Sequence, residues 1–125
     1  MKLTLPVHLE EAAGAGDKLY YVLQERMSLD AVDLVSNGGI ATHGTNFVTF
    51  TIYGNDGATA AFVWSTETGK EGVIADADVK SLTDKASGKA VYDAGTIIYV
   101  DLTQASSGQV VDVVLSLQFS QARKY

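Results

Sequence analysis

The sequence predicts an all-β fold, an antiparallel two-sheet β-sandwich of jelly-roll-like type. Runs of alternating hydrophobic and polar residues recur along the chain and are rich in β-branched and aromatic residues, which is typical of half-buried strands. Glycine, asparagine, aspartate and serine separate these runs, and the chain holds a single proline. With 125 residues, 46% of them hydrophobic and 19% charged, the composition is that of one folded domain. We expect about seven or eight short strands.

The clearest strand is the last, over residues 110–120, because hydrophobic side chains occupy every second position of its second half. Residues 47–53 predict another strand, with Val48, Phe50 and Ile52 on one face and Phe47 and Tyr53 on the other. A hairpin turn at residues 54–57 then leads into a partner strand. The remaining predicted strands cover residues 59–66, 97–103 and, more weakly, 73–75 and 79–82. The core face of the last strand is predicted to hold Val111, Val113, Leu115, Leu117 and Phe119.

Residues 17–35 fit two structures. Leu19, Leu23 and Met27 belong to a helical stripe that Asp17 could cap, but the composition of the segment favours strands. A short internal similarity favours strands. Residues 15–23 and 94–102 both contain Ala-Gly, a two-residue step and then an aliphatic–tyrosine pair, and the second copy has the pattern of a strand.

The sequence divides into three parts. Residues 1–16 are expected to form an extended N-terminal arm, residues 17–120 the β-sandwich domain, and residues 121–125 a basic C-terminal tail. All acidic residues lie between Glu10 and Asp112, so the tail is basic on an otherwise acidic chain. Such a charge asymmetry suggests a docking tail for an acidic neighbour.

Composition argues against several classes of function. A net charge of −6 disfavours nucleic-acid binding, which needs a basic surface. The absence of cysteine excludes disulfides, thiolate nucleophiles and cysteine metal sites. We find no signal peptide and no span long enough for a bilayer, so we expect no membrane partner. His8 and His43 have no catalytic or ligand motif around them, and we therefore expect no enzyme, no cofactor and no metal.

The aromatic residues suggest a binding role instead. Phe47 and Tyr53 share the face of their strand opposite Val48 and Ile52, and one of the two faces must be the core. The other face is then either covered by a partner subunit or available to a ligand. A sugar platform built from Trp64 with Tyr53 or Tyr92 is the second possibility.

Several segments follow one another in a characteristic order along nearly the whole chain. They are Gly16–Tyr20, Val32–Gly39, Thr45–Ile52, Ala94–Gly95 and the closing strand into Gln121–Tyr125. This order resembles that of the small decoration, or cement, proteins of tailed bacteriophage heads. No single motif carries the resemblance, and none of its elements is catalytic.

The resemblance implies a compact jelly-roll-like sandwich that associates as a homotrimer. It also implies a virion location, on the outside of the capsid, where the protein would bind the major capsid protein and stabilise the shell. We expect contacts from the N-terminal arm, the strand at residues 47–53 and the C-terminal tail. The candidate contact residues are Leu3, Leu5, Val7, Phe47, Tyr53, Arg123, Lys124 and Tyr125. The alternative is a phage fibre, baseplate or carbohydrate-binding module that recognises glycans through exposed aromatic residues.

Overall fold

A computed structural model describes residues 2–55, 60–85 and 90–122, and these residues contain ten β-strands. No described segment is a helix of the length and hydropathy that would cross a membrane. Seven of the strands have six or more residues, whereas β6, β7 and β8 have two or three. The strands are β1 (Lys2–Glu11), β2 (Asp17–Val22), β3 (Met27–Ser36), β4 (Val48–Gly54), β5 (Ala60–Ser65), β6 (Val79–Ser81), β7 (Thr83–Asp84), β8 (Ala90–Tyr92), β9 (Ile97–Gln104) and β10 (Val111–Gln121).

The strands form two antiparallel sheets that pack as a sandwich, which confirms the predicted fold class. The first sheet has the order β1-β10-β3-β6, with β8 also paired to β3, and the second has the order β2-β9-β4-β5-β7. Four antiparallel strand pairs are nested along the chain, with the β4–β5 hairpin innermost, and they alternate between the two sheets. From the outermost to the innermost they are β1–β10, β2–β9, β3–β8 and β4–β5. This alternation of nested antiparallel pairs is the strand order of a jelly roll.

The core lies between the sheets and is built from the predicted strand faces. Val48, Phe50 and Ile52 of β4 are fully buried, and the alternate residues of β10 meet them from the other sheet. Because successive side chains of a strand point to opposite faces, this period of two places a continuous apolar layer between the sheets. The predicted core residues Val111, Val113, Leu115, Leu117 and Phe119 are all buried.

Residues 17–35 are strands, not a helix. They form β2 and most of β3, and the two similar segments of the sequence contain β2 and β9, which pair with each other. Their register places Tyr20 opposite Tyr99. At Gly16 a side chain is excluded, because a Cβ atom would lie 2.8 Å from the carbonyl oxygen of Leu102.

Residues 2–11 correct the predicted domain boundary. We expect an arm outside the sandwich, but these residues are β1, which pairs with β10 from Lys2 opposite Ser120 to Glu11 opposite Val111. Leu9 is fully buried in the core. Residues 73–75 also differ from the prediction, since Ile74 makes only an isolated bridge to Ile40.

Candidate functional site

Two edge strands lie side by side at one margin of the sandwich, and an apolar groove runs between them. β1 ends the first sheet and β2 ends the second. We call this the seam groove; its volume is about 300 Å³. The half-buried side chains of Leu5 and Val7 on β1 face those of Leu19 and Tyr21 on β2. The groove is lined by Leu5, Pro6, Val7, His8, Leu19, Tyr20, Tyr21 and Val100.

A second cavity of about 200 Å³ continues this margin toward one end of the sandwich. Leu3 contributes to it from β1, with Tyr21 and Met27 among the other apolar residues. Glu25 also lines it, and its Oε1 atom is buried without a hydrogen-bond partner. The structure therefore places Leu3, Leu5 and Val7, three of the predicted contact residues, along one margin of the sandwich.

Gln104 fixes the connection between the two edge strands. Its Oε1 accepts hydrogen bonds from the backbone N–H groups of Gly14 (2.9 Å) and Gln109 (2.8 Å). Its Nε2 donates to the carbonyl oxygens of Ala12 (3.1 Å) and Ala15 (2.6 Å). Because this one side chain satisfies several backbone groups of the loop, it holds β1 and β2 at a defined separation.

Tyr53 is buried by neighbours of its own chain on the outer face of the second sheet. Its ring stacks on Tyr99 at 4.9 Å between centroids, and Tyr20 meets Tyr99 edge-on at 5.0 Å. The Lys18 ammonium lies 5.6 Å from the centre of the Tyr53 ring and 3.7 Å from Asp101 Oδ2. Tyr53 is only 7% exposed, so little of its side chain is open to a partner. We call Lys18, Tyr20, Tyr53, Tyr99 and Asp101 the tyrosine cluster.

The cluster also raises the pKa of Lys18 above its usual value. The largest cause is its hydrogen bond with Tyr53; burial opposes the shift, and the negative charge of Asp101 adds to it. A hydroxyl and a carboxylate that favour the ammonium form are the expected origin of such a shift.

The proposed aromatic sugar platform is not assembled. Trp64 lies opposite Phe50 in the register and packs partly buried against the core, and its indole N–H donates to the Gly72 carbonyl at 2.9 Å. Tyr92 covers Gly54, where a Cβ atom would lie 2.5 Å from its ring. Trp64, Tyr53 and Tyr92 therefore offer no common exposed face.

Phe47 lies apart from Tyr53. It is half-buried just before β4, and its carbonyl oxygen accepts a hydrogen bond from Ala105 at 2.9 Å. Six residues along an extended chain span about 20 Å. Phe47 and Tyr53 thus share a strand face in the sequence pattern but lie near opposite ends of β4.

The outer face of the first sheet carries exposed aliphatic side chains. Val114, Val35 and Val79 stand opposite one another on β10, β3 and β6, with exposures of 44%, 38% and 60%. We call these residues the valine row. A groove of about 310 Å³ borders it and includes Asn37, Asp76 and Asp112.

His8, Glu10 and Asp112 meet next to the valine row. His8 and Glu10 are two residues apart on β1, and Glu10 is opposite Asp112 on β10. His8 Nε2 is 2.7 Å from Asp112 Oδ1 and 4.0 Å from Glu10 Oε2. The hydrogen bonds that His8 and Asn37 make to Asp112 hold the pKa of its carboxyl below the usual value.

The remaining predicted contact residues, Arg123, Lys124 and Tyr125, lie outside the described residues. The backbone N–H of Ala122 donates to the Arg26 carbonyl oxygen at 3.2 Å. This places the end of the described chain beside Met27, one of the residues that line the second cavity.

No protein-family model matches the sequence, and no curated protein is significantly similar to it.

Proposed function

We propose that the protein is a non-enzymatic virion structural protein that decorates and stabilises the outside of a phage capsid by binding the major capsid protein. The jelly-roll strand order agrees with the fold implied by the resemblance of the sequence to cement proteins. In this proposal the protein associates as a homotrimer, so that each copy adds a modest contact and the assembly binds by avidity.

The seam groove is the observation that carries the proposal. Long edge strands present unpaired backbone groups, and proteins usually shorten, charge or cover them. Here β1 has ten residues and β2 has six, and both border an apolar groove. A capsid segment that adds to this margin would satisfy backbone groups and bury Leu5 and Val7, as in β-strand addition.

Binding to empty phage heads tests the proposal. The wild-type protein should co-sediment with empty heads of the phage that encodes it. Leu5→Asp places a charge in the seam groove and should weaken binding by at least about tenfold. Thr4→Asp is the matched control, because Thr4 is exposed on the opposite face of the same strand.

These point variants are better tests than deletion of residues 1–8, which would remove most of a strand paired with β10. Thermal melts of the free proteins show whether Leu5→Asp still folds, and Leu5→Gln serves as a milder variant if it does not. No co-sedimentation of the wild-type protein, or equal binding by the folded Leu5 variant, would contradict the proposal. A mass measurement in solution tests the trimer separately.

Glycan recognition by a fibre or baseplate module is a second candidate, favoured by Tyr20. Tyr20 is 64% exposed, and it belongs to the tyrosine cluster with Lys18 and Asp101. Exposed aromatic rings flanked by polar groups are suited to stack on sugars. Specific binding on a glycan array that Tyr20→Ala abolishes would support this candidate; an array without signal would count against it.

A further inference from the structure

The outer face of the first sheet brings together an imidazole and two carboxylates from distant parts of the chain. Asp112 follows His8 by 104 residues, yet the pairing of β1 with β10 makes them neighbours. Within the described part of the chain, His8, Glu10 and Asp112 form the one group of three histidine or acidic residues whose ligand atoms lie within 4.8 Å of one another.

The separations of these atoms are close to those of a metal's ligands. With metal–ligand distances of about 2.0–2.2 Å and angles of about 90–110°, neighbouring donor atoms lie about 2.8–3.6 Å apart. The imidazole nitrogen is 2.7 Å from one carboxylate oxygen and 4.0 Å from the other. Side-chain rotations that move these donor atoms by about 1 Å or less would therefore bring all three within bonding distance of one ion.

We propose that His8, Glu10 and Asp112 form a binding site for a divalent first-row transition-metal ion of the Zn²⁺ type. An imidazole with two carboxylates suits Zn²⁺ and its neighbours, whereas Ca²⁺ and Mg²⁺ prefer oxygen ligands alone. The ion takes the place of the hydrogen bond between His8 Nε2 and Asp112 Oδ1, and it binds His8 in the tautomer that carries its proton on Nδ1. Three protein ligands leave outward positions for water or for a group on a partner.

Asn37 positions the carboxylate of Asp112. Its Nδ2 donates to Asp112 Oδ2 at 3.0 Å, and its backbone N–H donates to the Asp112 carbonyl oxygen at 2.8 Å. Oδ1 is thereby left directed at His8, where the ion would lie. A partner that holds a ligand in this way typically changes metal affinity by about 10–100-fold.

The two strands supply a rigid base for the site. A residue pair with spacing two on one strand presents both side chains on one face, and the opposite residue of the next strand presents a third. Because β1 pairs with β10 over ten residues, the three Cα positions are fixed before any ion binds. Sites on regular strands are better defined than sites on loops.

Calorimetric titration of the tag-free, metal-free protein with Zn²⁺ tests the proposal. We expect one saturable site per chain and a rise in melting temperature with Zn²⁺, since an ion that binds only the folded protein stabilises it. His8→Ala and Glu10→Gln should each weaken binding by more than about tenfold, and Asn37→Ala by about tenfold. Cobalt(II) absorption in the visible range, lost in His8→Ala, provides a spectroscopic readout.

His43→Ala and Glu67→Gln are the matched controls, because they remove an exposed histidine and a loop carboxylate outside the cluster. Both should bind Zn²⁺ as the wild-type protein does. The absence of saturable binding, or an affinity unchanged in folded His8→Ala, would overturn the proposal, as would loss of the site in His43→Ala. The test uses no capsid, so its result is independent of the proposed function.

Discussion

The two outer faces of the sandwich differ in how far their hydrophobic residues are covered from solvent. On the second sheet, Tyr53 points outward but is buried beneath Tyr99 and Lys18 of the same chain. On the first sheet, the valine row has no such cover and stays exposed. An apolar residue on an outer face is therefore removed from solvent where a large cross-strand neighbour lies over it, as Tyr99 lies over Tyr53.

Replacement of Tyr53 tests this comparison and is expected to change the free energy of unfolding most. Tyr53→Ala removes a buried ring and its stacking on Tyr99, and should lower the free energy of unfolding by about 3 kcal/mol. Val79→Ala on the other face should change it by less than about 0.5 kcal/mol, because Val79 is largely exposed. Urea unfolding measures both. Similar losses in the two variants would show that Tyr53 is not covered as described.

Tyr99 lies at the centre of the tyrosine cluster, and its replacement is expected to cause the second-largest loss of stability. Tyr99→Leu keeps an apolar side chain but loses contacts with both Tyr53 and Tyr20, and we expect a loss of about 1–2 kcal/mol. Tyr20→Leu loses only the edge-on contact and should cost about half as much. If the two variants are equally stable in urea, the ring contacts do not contribute as argued.

The valine row tests the other face. Replacement of Val35, Val79 and Val114 together by threonine should lower the free energy of unfolding by about 1 kcal/mol or less, because threonine retains the β-branched shape and the lost methyl groups are partly exposed. Val113→Thr is the matched control, since Val113 is buried in the core, and this single change should cost more by leaving a buried hydroxyl. A triple variant less stable than Val113→Thr would mean that the row is part of the core.

The alternation of residue types predicts the fold class and the core face of β10. For β4 it predicts two faces, of which the structure shows the one with Val48, Phe50 and Ile52 to be the core. The segments β7 and β8 could not be predicted in this way, because strands of two or three residues are too short to show a period. Residues 2–11 were expected in an arm, although Leu3, Leu5, Val7 and Leu9 alternate with polar residues and proline. That alternation was the signal for β1.

The candidate sites depend on register, which the sequence does not encode locally. His8-x-Glu10 is a strand pattern visible in the sequence, but the third member, Asp112, is identified only by the pairing of β1 with β10. In the same way the internal similarity makes Tyr20 and Tyr99 equivalent positions, whereas their contact follows from the β2–β9 register. Shifting either register by one residue would move these side chains to opposite faces.

Alkaline pH gives the smallest expected effect and tests the part of the tyrosine cluster that is exposed to water. The pKa of Lys18 is raised in the folded protein, chiefly by Tyr53. The stability that this shift contributes is therefore complete below the pKa of the unfolded chain, about 10.4, and is lost as pH rises through the higher pKa of the folded state.

The wild-type protein should lose more stability between about pH 8 and pH 11 than Lys18→Met, as measured by urea unfolding. Burial also raises the pKa of Tyr92, but Tyr92 is present in both proteins and its contribution cancels in the comparison. Tyr53→Phe lacks the hydroxyl and should resemble Lys18→Met. If Lys18→Met loses as much stability as the wild-type protein, the cluster does not stabilise the Lys18 ammonium. Tyr53 is then covered by the aromatic rings alone.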